Sequence, residues 1–329
     1  MRATLFICVL IVLTTALTCI ASAPPQAAEG TTAAGPIGGS DIRSAMLPPP
    51  GLYGGAVGLA TNVPMIAGGD GNPVAGLDAV DLIARIAAPF FVYVPPVQVL
   101  GGSIGVFGVA PGGQECGQVV STIPRRCTWG FGDPYVEFDW SRSFGHVRPS
   151  QDAEAFPIVE GLVINLGLGI VLPVGKYEPQ LRATNAISLG NNIWDIAPSL
   201  AVTYTTPPLI AEGTEFSAKL YWNNYTINPD SQYQAAPLLD VDFAVTEHLG
   251  RVQAGLAGIY AFQTDADRQF GIVVPPDGRR LEFLALGFVV DYDMADLGVA
   301  IRFKALSVVQ GQNTGISQSA TIGLAKKFF

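Results

Sequence analysis

The sequence predicts an all-β protein, a transmembrane antiparallel β-barrel of about 12 strands with both termini on the periplasmic side of a bacterial outer membrane. Three observations favour this fold class: an N-terminal export signal, short segments of alternating apolar and polar residues, and connections that alternate between long and short. In such a barrel every second residue faces lipid and its neighbours face the lumen, while closure leaves no unpaired strand edge in hydrocarbon. An even number of strands returns the chain to the side where it began.

Residues 1–23 are predicted to be a secretory signal peptide. One basic residue precedes an apolar run that is too short for a membrane-spanning helix, which needs about 20 residues. The small residues Ala21-Ser22-Ala23 fit a cleavage site. Pro24 disfavours cleavage directly after them, so the cleavage point stays open between residues 21 and 28.

The composition is too apolar and too weakly charged for an ordinary soluble domain. Hydrophobic residues make up 49% of the chain, the mean hydropathy is +0.36, and only 14% of residues are charged. A soluble domain has about a quarter charged residues, so either a large buried core or a lipid-facing surface is needed. The net charge of −9, without a basic cluster, excludes nucleic-acid binding.

The alternation predicts where the strands lie. The segment 159–172 is the clearest case, with Leu and Ile on one face and Asn, Gly and Val on the other. A soluble β-sandwich is the alternative, and it explains the alternation but not the C-terminal Phe or the rhythm of the connections. The predicted strands are roughly 52–61, 78–88, 98–109, 134–143, 159–172, 191–204, 214–226, 238–247, 251–263, 280–292, 295–305 and 318–329.

The connections between these strands follow the pattern of outer-membrane barrels, with short periplasmic turns and longer extracellular loops. The connection 144–158 breaks the rule, because it is longer than a tight turn. The predicted long connections are 62–77, 110–133, 173–190, 227–237, 264–279 and 306–317, and the short ones are 89–97, 205–213, 248–250 and 293–294.

The predicted domain organisation places a flexible segment rich in Pro, Ala and Gly at 24–50 and the barrel at 51–329. The segment 24–50 has no periodicity. It lies either in the periplasm or inside the barrel as a plug, and the sequence favours neither.

Charged and polar side chains on the strands are predicted to line the lumen, because Lys or Arg facing lipid at mid-depth costs about 2–4 kcal/mol. These side chains form either a salt-bridged network or a constriction that selects solutes by charge. A barrel of intermediate size predicts a narrow or gated pore. The predicted lumen-lining residues are Asp81, Arg85, Glu137, Asp139, Asp195, Lys219, Tyr221, Asp240, Asp242, Arg302 and Lys304.

Two cysteines remain after the signal, Cys116 and Cys127. In an exported protein we expect a disulfide that pins one loop, with two free thiols as the alternative. No metal site and no cofactor are predicted. The two histidines, His146 and His248, have no Ser at a spacing that indicates hydrolase chemistry. We therefore do not expect an enzyme.

Several segments match a known family in their order and spacing: Asp70-Gly71-Asn72-Pro73-Val74, Leu172-Pro173-Val174-Gly175-Lys176-Tyr177, Asn192-Ile193-Trp194-Asp195, Phe216-Ser217-Ala218-Lys219 and Asn224-Tyr225-Thr226-Ile227-Asn228-Pro229-Asp230. Residues 50–329 resemble the outer-membrane family named for the meta-pathway of phenol degradation. The resemblance implies a β-barrel that admits small hydrophobic or aromatic compounds by passive diffusion. It implies no particular binding residues.

The C-terminal Phe329 is predicted to be the assembly signal for the outer-membrane insertion machinery, although Lys327 stands where such signals usually have an apolar residue. The expected partners are outer-membrane lipid, this machinery and a small hydrophobic solute. Two other functions stay open: a general or cation-selective porin, and a non-transporting surface barrel whose loops are the functional part.

Overall fold

The computed structural model describes residues 35–275 and 278–329. The predicted signal peptide 1–23 and the first part of the segment 24–50 therefore lie outside the described residues. Within the described ranges, no helix is both long enough and apolar enough to cross a membrane.

The described chain consists of strands, one short helix and one 3-10 helix. The helix α1 is Pro179–Asn185 and the 3-10 helix is Ala295–Leu297. The strands are β1 Gly51–Ala67, β2 Asp81–Val94, β3 Gln98–Val99, β4 Gly102–Val109, β5 Gly112–Gln118, β6 Arg126–Phe131, β7 Tyr135–Ser143, β8 His146–Arg148, β9 Ile158–Val171, β10 Asp195–Thr205, β11 Thr214–Tyr225, β12 Tyr233–Gln234, β13 Leu238–Leu249, β14 Val252–Gln263, β15 Arg268–Gln269, β16 Ile272–Val273, β17 Glu282–Met294, β18 Val299–Gln312 and β19 Thr314–Lys327.

The sheet closes into a 12-strand antiparallel barrel, which confirms the predicted fold class. The order around the barrel is β1-β2-β4-β7-β9-β10-β11-β13-β14-β17-β18-β19, and β19 pairs with β1 along its length. Strand β5 continues β4 along β2, and β6 pairs with β5, so β4–β5 and β6–β7 are two interrupted barrel strands. Closure pairs each of these 12 strands on both sides, as a hydrocarbon environment requires, whereas β6 pairs with β5 alone.

We call the end where β1 begins and β19 ends the lower end, and the opposite end the upper end. The upper end carries the long loops and the lower end most of the short ones, as predicted. Three predicted connections are wrong. The connection 89–97 is mostly strand, because β2 continues to Val94 and pairs with β1 up to that residue. Most of 306–317 is strand, because β18 pairs with β17 up to Gln312 and β19 pairs with β1 from Thr314, although β18 and β19 pair with each other only up to Ser307 and Gln318. Much of 110–133 is the β5–β6 hairpin, whose glycine-rich β5 shows no alternation.

Side chains alternate between the outside and the inside along the barrel strands. In β10 the residues with odd numbers are buried, whereas Leu200 and Val202 are exposed. Such exposed apolar side chains form the lipid-facing surface, and Trp129, Trp194 and Trp222 lie on it. The barrel wall is therefore apolar outside and mostly polar inside.

A disulfide joins Cys116 and Cys127 across the β5–β6 hairpin at the upper end. The loop that contains α1 packs on this hairpin, and the Asn185 side-chain amide donates to the Gly117 carbonyl oxygen at 2.8 Å. Strands β12, β15 and β16 form a small separate sheet in the upper loops.

The chain from Gly35 to Leu47 lies inside the barrel. Asp41, Ile42 and Ala45 are at most 3% exposed. A Cβ at Gly105 of β4 would touch Leu47, and one at Gly35 would touch Asp195 and Asn223 near the upper ends of β10 and β11. We call residues 35–47 the inserted segment. Of the two locations that the sequence left open for this stretch, the structure shows the lumen.

Candidate functional site: the barrel lumen

The inserted segment is held first by Asp242 of β13. Its Oδ1 accepts the Gly38 backbone N–H at 2.9 Å, and its Oδ2 accepts the Ser40 backbone N–H at 2.9 Å. The Ser40 hydroxyl also lies 3.0 Å from the Tyr221 hydroxyl. A carboxylate that accepts two backbone N–H groups fixes the position of the chain as well as its charge.

Ion pairs to β18 provide the second attachment. Asp41 is 2.6 Å from Lys304 Nζ and 3.2 Å from Arg302 Nη1. Arg302 also pairs with Asp291 of β17 at 2.9 Å, and Lys304 donates to the Gly38 carbonyl oxygen. Because Asp41 is almost fully buried, the two cations are what make its burial tolerable.

The lower part of the inserted segment is bound mainly through its backbone. The Arg43 N–H donates to Glu215 Oε1 at 2.7 Å, and the Ala45 N–H donates to the Thr203 hydroxyl at 3.1 Å. The Arg43 guanidinium pairs with Asp293 of β17 at 3.0 Å. The segment is therefore attached to both sides of the lumen.

A second ionic group lies on the wall formed by β7, β10 and β11. Lys219 Nζ is 2.8 Å from Glu137 and 3.7 Å from Asp139. The Ser199 hydroxyl donates to Glu137 at 2.7 Å. All four side chains are buried, so this wall of the lumen is polar and internally paired.

Two buried carboxylates are less well paired. Among the residues that the structure describes, neither oxygen of Asp240 has a hydrogen-bond partner, and Asp195 has one, the Asn224 N–H at 2.9 Å. Both side chains have no exposed surface. Buried carboxylates thus outnumber the cations that face them.

The upper part of the wall formed by β14, β17 and β18 is apolar, whereas its lower part carries Asp291, Arg302 and Lys304. The inward side chains of β14, β17 and β18 include small and branched residues, and the partly buried Ile37 and the buried Ile42 of the inserted segment pack against them. A Cβ at Gly38 would lie 2.8 Å from Ile259 Cδ1, so this part of the inserted segment also touches the apolar wall. We call this surface the apolar stripe; its members are Ala257, Ile259, Ala261, Phe283, Ala285, Val289, Leu306 and Val308.

The strand ladder is interrupted beside the polar wall. Pairing between β10 and β11 skips Ala197 and Pro198, because proline has no N–H to donate. The Asn224 side-chain amide instead donates to the Ile196 carbonyl oxygen at 3.2 Å and to the Trp222 carbonyl oxygen at 2.8 Å. The wall at this point is held by a side chain in place of backbone pairing.

The predicted lumen residues divide into two groups. Those that face the interior are Glu137, Asp139, Asp195, Lys219, Tyr221, Asp240, Asp242, Arg302 and Lys304. Asp81 and Arg85, which the sequence placed in the lumen, lie instead on the outer face of β2. Arg85 pairs with Ala60 of β1, on the same face as the exposed Phe91, and Asp81 pairs with Arg125 at 2.8 Å.

Sequence reasoning missed Asp41 and Arg43, because the segment that carries them has no periodicity that would indicate a position. Within the described ranges, no group of three or more His, Cys, Asp or Glu side chains has the arrangement of a metal site. His248 lies 3.5 Å from Glu215, and His146 lies 3.7 Å from Glu160 on β9, so the two histidines belong to separate carboxylate contacts.

Comparison with known proteins agrees with this architecture. The model of a family described as "Putative MetA-pathway of phenol degradation" matches residues 61–320. No curated protein is significantly similar to the chain in sequence.

Among solved structures, the COG4313 outer-membrane channel from Pseudomonas putida F1 is similar with a TM-score of 0.68 at 12% identity, covering 88% of this chain and 99% of that chain. The TodX monoaromatic hydrocarbon channel is more distant, with a TM-score of 0.45 at 9% identity, covering 93% of this chain and 97% of that chain. The first likeness shows the fold of an outer-membrane barrel. Because the family model spans most of the chain, the protein belongs to this phenol-degradation family of bacterial outer-membrane β-barrels.

Proposed function

We propose that the protein is a passive conduit for small hydrophobic compounds, most of all aromatic ones, across the outer membrane, and that it is not an enzyme. The observation that carries the proposal is the apolar stripe. A lumen that served only ions and sugars has no need of an apolar stripe, whereas a solute that crosses a lipopolysaccharide leaflet poorly needs an apolar path.

The inserted segment would act as the gate of this conduit. Ile37 and Ile42 cover the apolar stripe, so an apolar solute that displaces them replaces one set of apolar contacts with another. The polar wall and Asp242 meanwhile keep hold of the backbone of the segment. The solute would therefore pass between the segment and the stripe without releasing the whole segment.

The comparisons support the solute class. The family is described by phenol degradation, and the similar barrel from Pseudomonas putida F1 is an outer-membrane channel. Export by the predicted signal peptide 1–23 and insertion guided by Phe329 belong to the same proposal.

The test is uptake of a radiolabelled monoaromatic hydrocarbon by intact cells, whose lipopolysaccharide leaflet is the barrier. Ile259→Asn and Val308→Asn place a polar group on the apolar stripe, and we expect each to lower the initial uptake rate severalfold. Ser199→Ala is the matched control on the polar wall and should leave uptake unchanged. Folded protein in the membrane is verified by the mobility difference between boiled and unboiled samples. Wild-type uptake by both stripe variants would refute the proposal.

A cation-selective porin is the second candidate, and the excess of buried carboxylates favours it. Planar-bilayer recording separates the two functions. The occupied lumen predicts little steady conductance for the wild type, whereas steady cation-selective conductance without an effect of Ile259→Asn on aromatic uptake would favour the porin.

A further inference from the structure

The outer face of β2 carries an arginine that the fold does not pair. Arg85 is exposed and faces the lipid side of the barrel. Among the described residues, it has neither a carboxylate within ion-pair distance nor a hydrogen-bond partner, in contrast to Asp81 and Arg125 above it, which pair with each other. An exposed guanidinium without a partner in the chain is available to bind an anion from outside it.

The neighbours of Arg85 on the same face are also polar. In the strand register Arg85 is directly opposite Gln114 of β5, and Asn62 of β1 is directly opposite Gln318 of β19. Asn62 lies diagonally across from Arg85, because it pairs with Ile83. The side chains of these residues make no hydrogen bond within the part of the chain that the structure describes. We call Asn62, Arg85, Gln114 and Gln318 the outer polar patch.

The position of the outer polar patch along the barrel fits a membrane interface. Tyr93 and Phe91 mark the lower end of the outward face of β2, and both are exposed. Arg85 lies eight residues above Tyr93, which is about 26 Å along the strand and about 20 Å in height at a typical strand tilt. The apolar band of such barrels is about 25 Å tall, so the Arg85 guanidinium reaches the headgroup level at the upper boundary.

Trp129 indicates the same level independently. It faces outward on β6, directly opposite Gln114, and 66% of it is exposed. Tryptophan favours the boundary between hydrocarbon and headgroups. Trp129, Gln114 and Arg85 thus form one row across three neighbouring strands, with an aromatic ring at one end and a cation at the other.

The chemistry of the outer polar patch selects the ligand. A guanidinium and three primary amides offer many N–H donors, and Arg binds phosphate oxygens through paired N–H groups. We propose that the outer polar patch binds a phosphate group of a phosphorylated glycolipid of the lipid A type, with the acyl chains of the lipid against the apolar wall below. The upper end meets the outer leaflet if the C-terminus is periplasmic, as the sequence predicts. The proposal does not depend on what passes through the lumen.

Native mass spectrometry of the folded barrel in detergent tests this, since detergent removes any dependence on orientation. We expect bisphosphorylated lipid A to bind the wild type, and Arg85→Gln to weaken that binding at least tenfold. Arg142→Gln is the matched control: Arg142 is also exposed, but it lies near the lower end of β7 and donates to the Leu100 carbonyl oxygen. Its binding should equal that of the wild type.

The lipid supplies the second comparison. Chemically dephosphorylated lipid A should bind the wild type at least tenfold more weakly than the bisphosphorylated form and should not distinguish wild type from Arg85→Gln. Equal binding of the two lipids by the wild type would overturn the proposal. So would equal binding of bisphosphorylated lipid A by wild type and Arg85→Gln. Gln114→Leu gives a second readout on the same patch and should weaken the binding in the same direction.

Discussion

The carboxylate of Asp41 lies 2.6 Å from the ammonium of Lys304, and this contact ties the inserted segment to β18 inside the barrel. The contact joins positions far apart in sequence, and both side chains are buried. A buried pair of this kind contributes little if both partners are replaced together, but removing one partner leaves a charge without compensation. The inserted segment is therefore sensitive to single substitutions at this point.

Replacing Asp41 with Asn should loosen the inserted segment. The substitution leaves Lys304 and Arg302 without this carboxylate, at a cost of about 3–5 kcal/mol if the segment stays in place. We expect channel openings in planar bilayers that the wild type lacks. Asp152→Asn is the control, because Asp152 pairs with Arg251 at 3.1 Å at the lower rim, outside the lumen. Silent recordings from Asp41→Asn would show that the pair does not hold the gate.

Reduction of the disulfide should loosen the upper hairpin and leave the barrel intact. Cys116 and Cys127 close a short loop, and the chain-entropy estimate for a loop of this size is about 3 kcal/mol. We expect a Cys116→Ser, Cys127→Ser double variant to be cut by protease between β5 and β6 while its gel mobility still depends on boiling. Uncut protein under conditions that cleave other loops would mean that the packing of α1 and its loop holds the hairpin without the disulfide.

The packing of the upper loops should weaken as pH rises. Asp267 accepts hydrogen bonds from Tyr233, Ala236 and Gln263, yet burial raises its pKa to about 6. In the unfolded chain the pKa is about 3.9, so below about pH 4 the carboxyl is neutral in both states. Between pH 4 and 6 the Asp267 carboxyl ionises in the open loop but stays protonated in the packed loop. This difference favours the open loop, and about 3 kcal/mol of loop stability is lost by pH 7.

Hydrogen exchange at the Ala236 amide measures this effect directly, because that N–H donates to Asp267. After correction for the intrinsic pH dependence of exchange, protection should be higher at pH 4.5 than at pH 7.5. In Asp267→Asn the difference should vanish, since an amide does not titrate. Protection of the Ala236 amide that rises with pH in the wild type would contradict a raised pKa of Asp267 as the cause.

The sequence predicted the barrel strands well because alternation is a local property that the membrane and the lumen impose on each strand separately. In 159–172 the prediction and β9 agree within a residue at each end. The inserted segment was not predictable in this way. Its position depends on pairs such as Gly38 with Asp242, which are 204 residues apart, and its own sequence has no pattern.

The two misplaced charges have a different cause. The rule that charged side chains face the lumen rests on the free-energy cost of placing Lys or Arg against lipid at mid-depth. This cost falls to about 0–1 kcal/mol near the interfaces. Asp81 and Arg85 lie toward the upper end of β2, where that cost is small. Alternation shows which residues of a strand share a face. The depth of each residue of β2, and which face of β2 points to the lumen, depend on the register of β2 with β1 and β5, which a single sequence does not contain.

Replacing Pro198 with Val should strengthen the wall between β10 and β11. Valine restores the N–H that proline lacks, so the ladder that skips Ala197 and Pro198 can close. If apolar solutes leave the lumen through this point of the wall, the substitution should slow aromatic uptake by intact cells. Leu200→Val is the matched control: Leu200 lies two residues further along the outer face of β10, where it pairs with both β9 and β11. Slower uptake in Pro198→Val alone would locate the exit between β10 and β11. Equal uptake in wild type and both variants would mean that solutes leave through an end of the barrel.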